Sequence, residues 1–246
     1  MTDLNEQAVA KYKFSSITEL GQRRKQAFQR NLVHGYLPQM PAGARVLEVG
    51  PGRGEFAGEC ITAGYKYIGI EPSEVLCKQL ISQGLDIIHA MVPPLGLEDE
   101  TSDLVHSMDL IEHFDSYQMV LQFFEECSRV LAHGGYISVI APNFSLLGRL
   151  FYEYEYQHAY PTTEDRIVNL LQDAGFEVIK QSKFLFPWAL KGGLYSILDR
   201  MLAHVMVPLG RSVILSSILQ LFFGRKLVFR VHKNLYDHVV VLARKH

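Results

Sequence analysis

The feature that most constrains the fold of this chain is a glycine-rich turn directly after an apolar run. The run is Arg45–Val49, the turn is Gly50-Pro51-Gly52-Arg53-Gly54, and a helical pattern from Glu55 to about Ala63 follows. A buried strand, a tight glycine turn and a helix in this order form a unit of α/β proteins. In such a unit, backbone N–H groups and a helix N-terminus can approach a ligand.

Short apolar runs alternate with helical patterns along the rest of the chain. This alternation is typical of an α/β fold with a mostly parallel sheet and helices on both faces. We interpret Gly134 and Gly135 as the stop of the helix before the fifth strand. Further helices are expected at Ser73–Ser82, Ser116–Leu131 and Thr163–Ala174. The seven expected strands are Arg45–Val49, Tyr67–Ile70, Leu85–Ile88, Asp103–Ser107, Tyr136–Ile140, Phe176–Phe184 and His238–Leu242.

The composition argues against several classes of function. A formal net charge of -2 over 246 residues gives no electrostatic reason for a nucleic-acid partner. The three cysteines are odd in number and widely spaced, so neither a disulfide framework nor a cysteine-based zinc site is expected. Residues 1–6 do not resemble a secretory signal, and the longest uncharged apolar stretch, Ser212–Gly224, is too short to span a membrane. We expect a cytoplasmic location.

Two kinds of ligand are considered for the glycine turn. A dinucleotide would need the third glycine of its fingerprint at position 55, where this chain has Glu55. Carboxylates at Glu48 and Glu55 suit a ligand without a pyrophosphate, such as S-adenosylmethionine. Glu71 ends the next strand, where a carboxylate can accept hydrogen bonds from both ribose hydroxyls. The alternatives are a strand–helix turn without a ligand and, for Glu71, a helix cap.

Four segments resemble the class I (Rossmann-like) S-adenosylmethionine-dependent methyltransferase superfamily. Val46–Gly54 resembles its motif I, and Tyr67–Glu71 resembles its ribose-binding strand end. Asp103–Val105 with Ile111–His113 resembles the fourth strand, and Arg129–Gly135 the turn into the fifth. The resemblance extends to quinone- and polysaccharide-pathway methyltransferases.

The resemblance implies S-adenosylmethionine as the cofactor. One departure follows the third strand, where many relatives carry an acid for the adenine amine and this chain has His89-Ala90-Met91. The residues expected at the cofactor are Glu48, Gly50, Gly52, Gly54, Glu71, Met91 and Ser107.

Two histidines are candidates for the catalytic base on the acceptor side. Methyl transfer to a hydroxyl requires alignment of the nucleophile and removal of its proton, for which an imidazole is suited. His113 follows the fourth strand, and His158 lies in a segment with four tyrosines, 152–160. The alternatives are that His113 packs under the cofactor and that the tyrosines only cover the core.

A metal site is a further hypothesis for the segment after the fourth strand. Asp109, Glu112 and His113 could converge on a divalent cation if the segment is helical. The pattern is similar to the Glu-x-x-Glu-His site of ubiquinone-pathway and small-RNA O-methyltransferases, with the shorter Asp109 as its first ligand. Many relatives carry a Glu-His pair without metal, so our main expectation is that no metal is bound.

The sequence divides into three parts. Residues 1–40 are expected to form an N-terminal helical segment, and 41–185 with 236–246 a Rossmann-like methyltransferase domain. Residues 186–235 are expected to form an apolar, basic helical insertion, in which Asp199 is the only acid against seven lysines and arginines. This insertion could contact an anionic membrane surface, bind a lipid-linked substrate, form a homodimer interface or pack on the sheet.

The sequence thus predicts a methyltransferase that uses S-adenosylmethionine to methylate oxygen on a small-molecule, sugar or lipid-linked acceptor. One alternative is a nicotinamide-dependent oxidoreductase. The other is a noncatalytic partner protein that keeps the fold and binds S-adenosylmethionine.

Overall fold

The computed structural model describes residues 19–148, 150–185 and 237–246. The strands are β1 (Arg45–Val49), β2 (Lys66–Glu71), β3 (Ile87–His89), β4 (Ser102–Met108), β5 (Leu131–Pro142), β6 (Phe176–Leu185) and β7 (Asp237–Lys245). The helices are α1 (Glu19–Asn31), α2 (Glu55–Thr62), α3 (Glu74–Ser82), α4 (Tyr117–Val130), α5 (Phe144–Leu147), α6 (Leu150–Tyr154) and α7 (Glu164–Asp173). A π-helical turn covers Leu32–Tyr36, and a 3-10 turn covers Ile111–His113.

The strands form a seven-stranded sheet in the order β3-β2-β1-β4-β5-β7-β6. The strands β1 to β5 pair in parallel, whereas β7 is antiparallel to both β5 and β6. The prediction of an α/β fold with seven strands is confirmed, and the sheet is mixed because β7 runs against both of its neighbours.

Two hydrophobic cores lie on opposite faces of the sheet, because successive side chains of a strand point to opposite sides. Leu47 and Val49 of β1 pack in one core, together with residues of α4 and α7. Val46 packs in the other core, with residues of α1 and α2. In α4 the residues that face the first core recur at helical spacing: Val120, Phe123, Phe124 and Cys127.

The predicted helix starts are confirmed by side-chain caps. The hydroxyls of Ser73, Ser116 and Thr163 each accept a hydrogen bond from the backbone N–H three residues later. Such a cap satisfies one of the N–H groups that a helix leaves unpaired at its start. The helices that lead towards β3, β5 and β6 therefore begin where the sequence indicates.

The prediction that Gly134 and Gly135 stop a helix is wrong. The helix α4 ends earlier, at Val130, and both glycines lie within β5. They accompany an irregularity in the pairing of β4 with β5, between Ser102 and Leu104. A Cβ on Gly135 would lie 2.9 Å from the carbonyl oxygen of Ala132, so a side chain there would collide with the backbone. These glycines permit a close backbone approach at the start of the strand.

Of the three predicted parts of the chain, the N-terminal segment is described in part and the insertion is not described. Within the predicted N-terminal segment, α1 and the π-helical turn cover residues 19–36, and residues 1–18 lie outside the described range. The predicted insertion, 186–235, also lies outside it. Among the residues that the structure describes, no helix is long and apolar enough to cross a membrane.

An ion pair fixes the start of β1 against the start of β4. The Arg45 guanidinium donates to both carboxylate oxygens of Asp103, with Nη2 2.6 Å from Oδ1 and Nε 3.2 Å from Oδ2. The Arg45 backbone N–H also donates to Asp103 Oδ2, at 2.7 Å. These hydrogen bonds hold the pKa of Asp103 below its ordinary value of 3.8.

We predict that Asp103→Asn lowers the free energy of unfolding by about 1 kcal/mol at pH 7, a modest loss because the pair is partly exposed. Because the folded-state pKa of Asp103 is lowered, the carboxylate contributes stability above its unfolded pKa. That contribution disappears as the pH falls through the folded-state value. Urea unfolding between pH 7 and pH 3 should therefore show the mutational difference shrinking at the acid end. Asp86→Asn, on an exposed loop, is the control, and an equal loss in that variant would contradict a role for the Arg45 pair.

Candidate active site

The glycine turn after β1 forms an open backbone cradle. Gly50, Gly52 and Gly54 have φ angles of 79°, 58° and 81°, which side-chain-bearing residues rarely adopt. Gly50 N–H donates to the Ile70 carbonyl at 2.9 Å, which ties the turn to β2. A Cβ on Gly52 would meet no described atom within 4 Å, so the space beside this residue is open to a ligand.

Gly54 has a different role from Gly52. It is the N-cap residue of α2, and a Cβ there would lie 3.0 Å from side-chain carbons of both Leu80 and Leu85. The absence of a side chain at Gly54 therefore leaves room for the Leu80 and Leu85 side chains beside the turn. Its contact with the cofactor stays a prediction.

The carboxylate of Glu71 lies fully buried at the end of β2. Its Oε1 accepts a hydrogen bond from the Ser73 backbone N–H at 3.1 Å. The side-chain cap of α3 is the Ser73 hydroxyl, which accepts from Leu76 N–H, so capping the helix does not by itself account for Glu71. A buried carboxylate at this strand end suits a ligand that offers hydroxyl donors.

Ser107 lies near the end of β4, directly beside the glycine turn. It pairs in register with Val49, the last residue of β1, and it is almost fully buried. Within the described part of the chain, its hydroxyl oxygen has no hydrogen-bond partner. A buried hydroxyl of this kind suits a polar ligand at the turn. The cradle at Gly52, the Glu71 carboxylate and the Ser107 hydroxyl thus fit S-adenosylmethionine.

The two remaining cofactor predictions fall in different surroundings. Glu48 is buried, and its Oε2 accepts a hydrogen bond from the Tyr67 hydroxyl at 2.6 Å. Burial and the Glu48 carboxylate raise the pKa of Tyr67, so the phenol keeps its proton and remains a donor. Met91 follows β3 and has an exposed fraction of 52%. The Tyr67 contact was not anticipated, and a cofactor role for Glu48 or Met91 stays a prediction.

The segment after β4 is joined to the tyrosine-containing segment by backbone hydrogen bonds. The carbonyl of Glu112 accepts from the N–H groups of Ala159 and Tyr160, at 2.8 and 3.0 Å. This pairing brings His158 beside His113, with their ring centroids 5.1 Å apart. The structure therefore places both candidate histidines together, on segments that are distant in sequence.

The hydrogen bonds of His158 define its tautomer. Its Nδ1 lies 2.8 Å from the Phe151 carbonyl oxygen, which can only accept, so Nδ1 carries the proton and Nε2 carries a lone pair. Burial lowers the pKa of His158, so the ring is neutral at neutral pH. Its Nε2 lies 3.9 Å from Glu155 Oε2. His158 is therefore available as a proton acceptor or as a ligand.

Asp109 is not part of the group of potential ligands that Glu112 and His113 form with His158, although its charge acts on both histidines. Asp109 has a φ of 52°, in the left-handed region, and the 3-10 turn begins only at Ile111. The metal hypothesis with Asp109 required one continuous helix through this segment, and the structure does not have one. Instead, Asp109 Oδ1 accepts a hydrogen bond from Nε2 of His238, at 3.0 Å. His238 was missed because it lies 129 residues away, and no local pattern marks such a pair.

Comparisons with known proteins agree with this geometry. A family model described as "Methyltransferase domain" matches residues 20–181. A probable S-adenosylmethionine-dependent methyltransferase of Mycolicibacterium smegmatis is 32% identical over 157 residues, which are 61% of this chain and 59% of that protein. The chain thus spans less than two thirds of that relative.

Solved structures show the same fold. A SAM-dependent methyltransferase of Thermotoga maritima has a TM-score of 0.62 at 21% identity, covering 98% of this chain and 97% of that one. A SAM-dependent methyltransferase of Archaeoglobus fulgidus has a TM-score of 0.61 at 18% identity, covering 89% and 94%. The family match includes all predicted site residues, and it favours S-adenosylmethionine over a nicotinamide cofactor.

We predict that Gly52→Ala weakens binding of S-adenosylhomocysteine at least about tenfold, because a methyl group would occupy the open side of the cradle. The matched control is Gly84→Ala, since Gly84 also has a positive φ and open space around it, but lies after α3. Both variants should lose about 1 kcal/mol of stability from backbone strain. Calorimetric titration should show that only the first loses affinity, and equal affinities would place the cofactor elsewhere.

We also predict that Glu71→Gln weakens binding of S-adenosylhomocysteine by about tenfold, because ribose hydroxyls lose a charged acceptor. Glu74→Gln removes a carboxylate from the exposed first turn of α3 and should leave the affinity unchanged. Thermal unfolding of both ligand-free variants checks that they are folded. Unchanged affinity in the Glu71 variant would mean that this carboxylate has a structural role only.

Proposed function

The chain belongs to the methyltransferase-domain family, whose cofactor is S-adenosylmethionine. From this premise we propose that it methylates a hydroxyl oxygen of a small-molecule, sugar or lipid-linked acceptor. The observation that carries the proposal is the pair of imidazoles, His113 and His158, beyond the carboxyl end of β4. The same end of β4 holds Ser107, beside the predicted cofactor cradle.

Transfer to a hydroxyl group needs a proton acceptor, and the histidine pair supplies one. When bound, S-adenosylmethionine would supply the methyl group to the acceptor oxygen, and S-adenosylhomocysteine would be the product. The hydroxyl proton passes to His158 Nε2, which carries the lone pair of the neutral ring because Nδ1 donates its proton to the Phe151 carbonyl. A neutral amine attacks through its own lone pair and has less need of a base. The arrangement therefore favours oxygen as the methylated atom.

The aromatic segment near the histidines suits an acceptor with a ring. Tyr152 and Tyr156 are exposed, with exposed fractions of 44% and 80%, whereas Tyr160 is buried in the core. Exposed aromatic rings can stack on an aromatic or sugar ring. The sequence suggested that the tyrosines either contact the acceptor or cover the core. The exposed Tyr152 and Tyr156 support the first suggestion, and the buried Tyr160 supports the second.

The lipid-linked option rests on the basic, apolar composition of 186–235 together with one topological fact. Leu185 and Asp237, at the two ends of the undescribed segment, pair with each other between β6 and β7. Because β7 is antiparallel, its first residues lie at the edge where the parallel strands end. The segment therefore leaves and rejoins the sheet at the edge that carries the candidate site. Membrane contact and dimerisation through 186–235 are also proposals, and they rest on the same composition.

We predict that His158→Ala lowers kcat by about 10²–10⁴-fold, the range expected for loss of a positioned proton acceptor, while binding of S-adenosylhomocysteine persists. Formation of S-adenosylhomocysteine would be measured with phenols, sugars and polyprenyl-linked sugars as acceptors. His133→Ala is the control, since His133 is exposed near the start of β5, at the opposite edge of the sheet.

Three outcomes would contradict parts of the proposal. Full turnover by the His158 variant would exclude this imidazole as the base. Methylation of amines but of no hydroxyl acceptor would reject oxygen as the target. Tight binding of S-adenosylhomocysteine without turnover on any acceptor would support the noncatalytic alternative.

A further inference from the structure

We propose that Glu112, His113 and His158 form a binding site for a divalent transition-metal cation. Each of the three residues offers one ligand atom, and these atoms all lie within 4.8 Å of one another. Ligand atoms bound to a common cation at about 2.0–2.2 Å stand roughly 3–4 Å apart. Small side-chain adjustments would therefore bring the three atoms into coordination.

The backbone holds the three ligands in place before any cation binds. Glu112 and His113 belong to the 3-10 turn after β4, and His158 belongs to the segment that is hydrogen-bonded to the Glu112 carbonyl. Glu112 and His158 are buried, and His113 is partly buried. A site formed in this way loses little conformational freedom when it binds a cation, and its partial exposure at His113 leaves a route of entry.

The second ring nitrogen of each histidine is near a backbone carbonyl. His158 Nδ1 lies 2.8 Å from the Phe151 oxygen, and His113 Nδ1 lies 3.4 Å from the Gln157 oxygen. Metal-binding histidines commonly donate their other ring N–H to a carbonyl or carboxylate, which fixes the ring and its tautomer. The arrangement leaves Nε2 of His158 as its ligand atom. The Glu155 carboxylate, 3.9 Å from that Nε2, adds negative charge that favours a cation.

This ligand set differs from the one suggested by sequence spacing. Asp109 is engaged with His238, whereas His158 comes from a segment more than forty residues after His113. Two imidazoles and one carboxylate suit Zn²⁺, Fe²⁺, Co²⁺ or Mn²⁺ rather than Ca²⁺ or Mg²⁺, which prefer sites made of oxygen ligands. Three protein ligands also leave coordination positions for water or for an oxygen of a substrate.

The site deepens the proposed function, on which its catalytic relevance depends. A cation at this position would make a bound hydroxyl more acidic. Because His158 Nε2 would then be a ligand, the proton would pass to solvent and not to that nitrogen. The loss of turnover predicted for His158→Ala follows whether the imidazole serves as proton acceptor or as ligand. Metal binding must therefore be measured directly, without reference to turnover.

The experiment is a Co²⁺ titration of the full chain, without a histidine tag and after treatment with a chelator. The visible d–d absorption of Co²⁺ reports coordination, and competition with Zn²⁺ gives the relative affinity. We expect one equivalent of Co²⁺ to bind. We expect Glu112→Gln and His113→Ala each to weaken this binding by about 10–100-fold. His133→Ala is the control and should bind as the wild type does, and Asp109→Asn should still bind one equivalent because its carboxylate is not one of the three ligands. Retained binding of S-adenosylhomocysteine checks that each variant is folded.

The outcomes separate this inference from the proposed function. Absence of stoichiometric Co²⁺ binding, or binding that survives both ligand substitutions, overturns the metal site. Loss of binding in Asp109→Asn with retention in His158→Ala overturns the ligand set in favour of the one suggested by the sequence. Methylation of a hydroxyl acceptor in the presence of chelator would leave the proposed function standing while showing that the cation is not needed for it.

Discussion

The parallel pairing of β1 with β2 on one side and with β4 on the other is the constraint on which the site depends. Val49, the last residue of β1, is in register with Ile70 and with Ser107. The glycine turn, the Glu71 carboxylate and the Ser107 hydroxyl therefore lie at one edge of the sheet. The hydrogen bond from Gly50 N–H to the Ile70 carbonyl continues the pairing into the turn. The carboxyl ends of parallel strands point to the same edge of a sheet, so strand direction and register bring these three chemically different groups to one edge.

A second constraint organises the acceptor side. Two backbone hydrogen bonds to the Glu112 carbonyl join the turn after β4 to the segment that contains His158. Each bond contributes only about 1 kcal/mol to stability, but together they decide where an imidazole is placed. They bring His158 to His113 and to the Glu112 carboxylate, which creates both a candidate base and a candidate metal site from one piece of backbone geometry.

The direction of β7 extends the same edge. Because β7 is antiparallel to β5, its beginning lies where β5 ends, and His238 pairs with Pro142. From this position His238 donates to Asp109, which follows β4. A parallel final strand would begin at the opposite edge and could not make this contact. The mixed sheet therefore supplies the hydrogen-bond partner of Asp109.

The sequence by itself determined the local elements and the identity of the cofactor. Short-range patterns predicted the strand, glycine turn and helix from Arg45 to Ala63, the helix starts at Ser73 and Ser116, and the position of Glu71 at a strand end. Such patterns depend on backbone preferences and on hydrogen bonds between residues a few positions apart.

Only the tertiary structure decided the contacts between distant segments. It paired His238 with Asp109, joined Tyr67 to Glu48, and set His158 beside His113. It also placed Gly134 and Gly135 inside β5, because that strand begins to pair with β4 before the glycines are reached. These outcomes depend on strand direction and register, which bring together residues that no local sequence pattern relates.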